Sequence, residues 1–123
     1  MRLDWDLCRD ILLVVEKEDV GTGDDIKVEL DGREDRVISY HLKALTQAGY
    51  VKCEVISDTE DEFLWYVPQA MNYAGHKFLA GTRDNSIWKS VLNKATEKAT
   101  SVTLDTLLAL AVAEAKRRIG LDS

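Results

Sequence analysis

One proline, two cysteines and two histidines are all that the 123-residue chain offers of the residues that interrupt, cross-link or titrate near neutrality. The lone Pro68 and the lack of any Gly/Ser-rich stretch leave no linker, so one domain is expected over 1–123, with a core over 1–80 and a helical extension over 81–123. Cys8 and Cys53 lie far apart among apolar neighbours. They are read as reduced core residues of a cytoplasmic protein, a disulfide or metal pair being the minority reading. No CxxC or HxxxH occurs, and metal sites need clustered ligands, so no metal is expected. Catalysis needs a nucleophile, a base and an orienting group together. His41 and His76 stand without such company, so no catalytic residue, no cofactor and no enzyme is expected. A glycine-rich phosphate loop is also missing, because Gly21-Thr22-Gly23 runs into Asp24 and Asp25, which would repel a phosphate. The longest apolar run, Leu104 to Ala115, is broken by Asp105, Thr106 and Glu114, so no membrane span is expected. Three aspartates within Met1–Asp10 argue against a signal peptide.

What is present is an ordinary globular composition, 46% hydrophobic and 31% charged, with a net charge of −6. That charge is uneven. Residues 1–30 carry four basic and nine acidic side chains, residues 31–52 four and three, and residues 53–71 none and five. Residues 72–100 are net basic, and 101–123 balance. Phosphate binding requires locally concentrated Lys and Arg, so this distribution bears directly on nucleic acid.

Leu3, Leu7, Ile11, Val14 and Val15 recur at helical spacing behind Asp4, a capping residue, and the helix stops at Gly21 and Gly23. Ile26, Val28 and Leu30 alternate with polar residues and predict a short strand. After an Asp31-Gly32 turn, a helix over about 34–48 has Val37, Ile38, Leu42, Leu45 and Ala48 inward and Ser39, Tyr40, Lys43, Thr46 and Gln47 elsewhere. Two β-rich runs, 50–56 and 63–67, flank a polar loop and predict a hairpin that Pro68 closes. Three more helices follow. Asn72 caps the first, the second starts near Ser86, and the last spans 103–119 with Leu104, Leu107, Leu108, Ala111, Val112, Ala115 and Ile119 inward. The fold class expected is mainly α with a small β-hairpin (α+β): a winged-helix-like core plus C-terminal helices.

The stretch Val37 to Val51, with His41-Leu42, Leu45, Gly49 and then Tyr50-Val51, resembles the recognition helix and first wing strand of arsenic-repressor-type and multidrug-resistance-type regulators. The whole chain resembles an uncharacterised family of small bacterial and prophage proteins, classed as a domain of unknown function. That likeness lies in Asp-x-Asp-Leu-x-Arg-x-Ile-Leu (Asp4 to Leu12), Tyr40-His41-Leu42, Gly75-His76-x-Phe78-Leu79, and Arg83-Asp84 followed by Trp88. It implies a fold and a genomic setting, not an activity. One departure from the regulators matters. The helix that positions the recognition helix is either reduced to one turn at Arg33–Arg36 or absent.

Two binding surfaces follow. For duplex DNA, Arg33, Arg36, Ser39, Tyr40, Lys43, Gln47 and Lys52 are the expected contacts. For a basic protein partner, the acidic wing offers Asp58, Glu60, Asp61 and Glu62, read as a solvated tip rather than a calcium loop because the required glycine and spacing are missing. Trp5, Trp65 and Trp88 are read as core, Trp65 being the one that an exposed wing could turn outward. The wide apolar arc of the last helix makes a homodimer through it a further expectation.

Overall fold

The computed structural model describes residues 1–98 and 102–120. They form five helices and one hairpin, a mainly helical α+β fold. The chain divides into two compact units, Met1–His76 and Lys77–Ser123, with the boundary inside a helix.

In the first unit, α1 spans Trp5–Glu18. Asp4 starts it by accepting the Leu7 amide at 3.0 Å, and the 3.6-residue period buries Leu7, Cys8, Ile11, Leu12 and Val15. Asp19 ends it and is also a tether. Its carboxylate accepts the Met71 amide at 2.8 Å and the Gly21 amide at 2.9 Å. Those two donors hold the carboxyl below its ordinary range.

The strand expected over 26–30 does not form. Ile26 and Val28 are buried as the alternation requires, but the only backbone bond from this segment to the hairpin runs from the Ile26 amide to the Pro68 carbonyl, at 2.8 Å. An antiparallel ladder pair needs the reciprocal bond as well, and Pro68 has no amide hydrogen to give. No helix lies between Glu18 and Asp35. The positioning helix is therefore absent, and an extended segment with a turn at Asp31-Gly32 takes its place.

Helix α2 spans Asp35–Gln47. Ile38, Leu42 and Leu45 are buried as expected, whereas Val37 is half-buried and Ala48 exposed. Ser39, expected on the outer side, is buried. Gly49, with φ +79°, reverses the chain into the sheet. Strands β1 (Val51–Ser57) and β2 (Leu64–Met71) pair antiparallel. Pro68 does not close β2: the strand continues to Met71. The register shifts between Lys52 and Cys53, so that Gln69 is an extra residue on β2 and Pro68 stands beside a bulge, a position sheets tolerate.

Helix α3 (Tyr73–Thr82) leads into the second unit, where α4 spans Asn85–Lys98 and α5 Leu104–Arg118. Asp84, not anticipated as a cap, starts α4 by accepting the Ser86 and Ile87 amides at 2.8 and 3.1 Å. Phe78 and Trp88 meet edge to face at 5.8 Å. In α5, Thr103 caps the start by accepting the Thr106 amide, and Leu104, Leu107 and Ala111 are buried. Val112 and Ile119, expected inward, are exposed. The buried stripe continues through Glu114 instead, because position 112 lies about 100° round the helix from 111.

Glu114 remains an anion because Arg117 and Arg118 hydrogen-bond its two oxygens and Lys94 stands 3.8 Å away. These partners, Arg117 first, bring its carboxyl down to about 2. An unfolded glutamate titrates near ~4.3. A folded value below the unfolded one contributes stability that is complete above the unfolded value and lost as pH falls towards the folded one. Acid titration followed by helical circular dichroism should show this loss between about pH 4.5 and 2. The loss should flatten in Glu114→Gln, and an unchanged profile would refute the assignment.

Candidate binding surfaces

Arg36, Tyr40, Lys43 and Gln47 recur at spacings of four, three and four along α2, which places them on one face of the helix, and all are exposed. The hairpin rises beside this face, and the two are fastened together. Ser39 Oγ donates to the Leu64 carbonyl at 3.3 Å and accepts the Tyr66 amide at 2.9 Å. One hydroxyl thus satisfies both a donor and an acceptor on the outer edge of β2, as a neighbouring strand would. Ser39 is spent on the fold and is not available to a ligand.

The arginines expected to meet phosphate are already engaged. Arg33 pairs with Asp4 at 3.0 Å. Arg36 pairs with Asp61 of the hairpin tip, and its guanidinium lies 4.7 Å from the centroid of Phe63 and 5.9 Å from that of Trp65. Phe63 and Trp65 meet edge to face at 4.6 Å. A planar cation between a carboxylate and two rings gains from both, so the tip is drawn onto the helix. Asp61 also accepts the Phe63 amide at 3.0 Å. That amide first, and then Arg36, hold its carboxyl below the ordinary range against the opposing effect of burial. Tyr40 Oη donates to the Met1 carbonyl. Lys43, Gln47 and Lys52 remain exposed, and neither lysine has an ion-pair partner among the described residues. Glu62 stands across a crevice of about 210 Å³ from Tyr40 and Lys43, so even this part of the face is edged by negative charge.

At the tip, Asp58 is half-buried and accepts the Glu60 amide at 3.0 Å. Glu60 and Glu62 are exposed, and Glu62 takes a positive φ of 59° to close the turn. Behind the tip, Val55, Ile56 and Leu64 are 48%, 44% and 46% exposed. Val55, opposite Tyr66, and Leu64, opposite Ser57, share one face of the hairpin, and Ile56, opposite Trp65, lies on the other. Adjacent residues of a strand point to opposite faces, so Val55 and Ile56 cannot both face α2.

His41 is 1% exposed. Its Nε2 accepts the Asp4 amide at 2.9 Å and its Nδ1 donates to the Val37 carbonyl at 2.8 Å, an arrangement that needs the neutral tautomer with hydrogen on Nδ1. The ring fastens the start of α1 to α2. Asp4 carries the third link of that joint: burial raises its carboxyl, but the Leu7 amide and Arg33 outweigh this and lower it. Burial and the neighbouring Asp4 push the Cys8 thiol up to about 12, and burial raises that of the half-buried Cys53, so neither is a ready thiolate. Among the described residues no cluster of three or more His, Cys, Asp or Glu could hold a metal ion, and no helix is long and apolar enough to cross a membrane.

Comparison with known proteins agrees in extent. An uncharacterised protein of Haemophilus influenzae is 27% identical over 107 residues, covering 87% of this chain and 89% of that protein. No solved structure matches the chain. A family model described as "Hypothetical protein (DUF2513)" matches residues 2–101, and the chain belongs to that family.

Proposed function

We propose that this is a non-catalytic binding protein of winged-helix type, in the cytoplasm of a bacterium or encoded by a prophage, whose hairpin contacts a protein partner. The observation that carries the reading is the exposed apolar surface behind the acidic tip of Glu60 and Glu62, where Val55 and Leu64 share one face of the hairpin and Ile56 stands on the other. A patch of large apolar side chains edged by charge is the usual form of a protein contact. Charge selects a partner that is apolar at its centre and basic at its rim. The test is capture of partners from the host by the tagged chain, with nuclease treatment as a control. Val55→Lys with Leu64→Lys should abolish capture, while Lys43→Gln should leave it intact. Loss of the captured proteins on nuclease treatment would count against this reading.

The second reading, a DNA-associated regulator, rests on the order helix, extended segment, helix, hairpin and on the exposed Lys43, Gln47 and Lys52. Against it stand the missing positioning helix and the internal pairing of Arg33 and Arg36. The same proposal includes a homodimer through α5, on whose two flanks Leu110 and Val112 are 40% and 39% exposed. Sedimentation over rising concentration checks it, and a strict monomer would remove it.

A further inference from the structure

Pro68 leaves a gap as well as a missing strand. After the single bond from Ile26 to Pro68, residues 27–30 run on without joining β2, and a groove of about 290 Å³ opens between them. Val28 forms one wall and Trp65 with Pro68 the other, and Ile38 and Leu42 of α2 form the floor. The volume lies just under the ~300 Å³ at which small-molecule sites usually begin, so it suits a small ligand. The rim is charged. Asp25 and Asp35 line it as exposed carboxylates, and Gln69, a neutral donor, holds Asp25 through its Nε2 at 3.1 Å. Lys27 also lines the groove, but Glu29 pairs with it at 2.9 Å and offsets its charge. The balance at the rim is therefore negative over apolar walls that include an indole ring.

We infer that this groove is a binding site for a small aromatic organic cation, its ring between Trp65 and Val28 and its ammonium group at Asp25 and Asp35. The apolar walls take a flat hydrocarbon body, and the two rim carboxylates disfavour an anion of the same shape. An extended peptide is a poorer occupant, because the carbonyl of Pro68 is already bonded to Ile26 and the Leu64 carbonyl and Tyr66 amide are taken by Ser39. Those groups would otherwise serve a peptide backbone. The site adjoins the hairpin's exposed apolar residues, Trp65 being the cross-strand partner of Ile56, but it shares no residue with them, and its ligand and its test are separate from those of the proposed protein contact.

Three probes of nearly equal shape test the inference on the full chain: 4-phenylbutylamine, 4-phenylbutan-1-ol and 4-phenylbutyrate. Amide and indole NMR shifts during titration should map the amine to Ile26, Val28, Ile38 and Trp65. The amine should bind up to about fivefold more tightly than the alcohol, the upper end of what a partly exposed ion pair contributes. The carboxylate should bind more weakly than the alcohol. Asp25→Asn with Asp35→Asn should remove the preference for the amine while leaving the alcohol unchanged, and both positions are exposed, so folding is preserved. Val28→Phe should fill the groove and abolish binding of all three without altering charge. Equal affinity for the three probes, shifts centred elsewhere, or no saturable binding of the amine would each overturn the proposal.

Discussion

Truncation of Leu45 to alanine is expected to lower the unfolding free energy by about 2–5 kcal/mol, the range for removing a buried leucine without refilling its space. Leu45 has no exposed surface. It lies on the helix that packs against α1 and both strands of the hairpin. Its main chain has little freedom to collapse into the space left, since the Leu45 carbonyl accepts the Tyr50 amide at 2.9 Å just where the chain turns into β1. A domain of this size has ~5–15 kcal/mol in all, so the variant should be close to its folding limit. The half-buried Val37→Ala should cost well under half as much. Denaturant unfolding gives both numbers. A Leu45→Ala loss below about 1 kcal/mol would mean that α2 does not form the centre of this core.

The helices were legible because their signals are local. Asp4 and Thr103 cap, Gly49 reverses, and a 3.6-residue period marks the buried face, so α1, α2 and α5 lie within a residue or two of where the pattern places them. What failed depended on partners distant in sequence. Ile26 to Leu30 has the alternation of a strand, and what denies it a ladder is a proline some forty residues on. Ser39 has a polar side chain on the flank of an amphipathic helix, and only the edge of β2 makes burial favourable there. Glu114 falls outside the apolar stripe that the sequence predicts because an acid seldom faces inward, and Arg117 and Arg118 reverse that rule by pairing with it. The candidate surfaces were legible as charge and not as geometry. Residue types alone place Arg33 and Arg36 on a basic face, but Asp4 and Asp61 meet them from 29 and 25 positions away.

Replacing Glu60, Asp61 and Glu62 by Gln, Asn and Gln gives opposite signs for the two binding readings, and the amides are chosen to keep the turn. Asn at 61 retains an oxygen for the Phe63 amide, and Gln at 62 carries no heavier burden than Glu at a positive φ. If the hairpin contacts a basic protein partner, removing three rim charges should weaken that contact by about an order of magnitude, since each rim ion pair contributes ~0.2–1 kcal/mol. Binding to duplex DNA should stay at its non-specific level. If α2 contacts DNA instead, the same substitutions remove repulsion and release Arg36 from Asp61. Affinity for duplex should then rise, and the dependence of log affinity on log salt should steepen by about 0.9 for the phosphate contact that Arg36 gains. Adding Arg36→Gln separates the two effects of the release, because it should cancel the steeper slope and keep the gain from lost repulsion. The protein-partner reading requires the first pattern. Tighter, more salt-sensitive DNA binding with an unaltered set of captured proteins would replace it with the second.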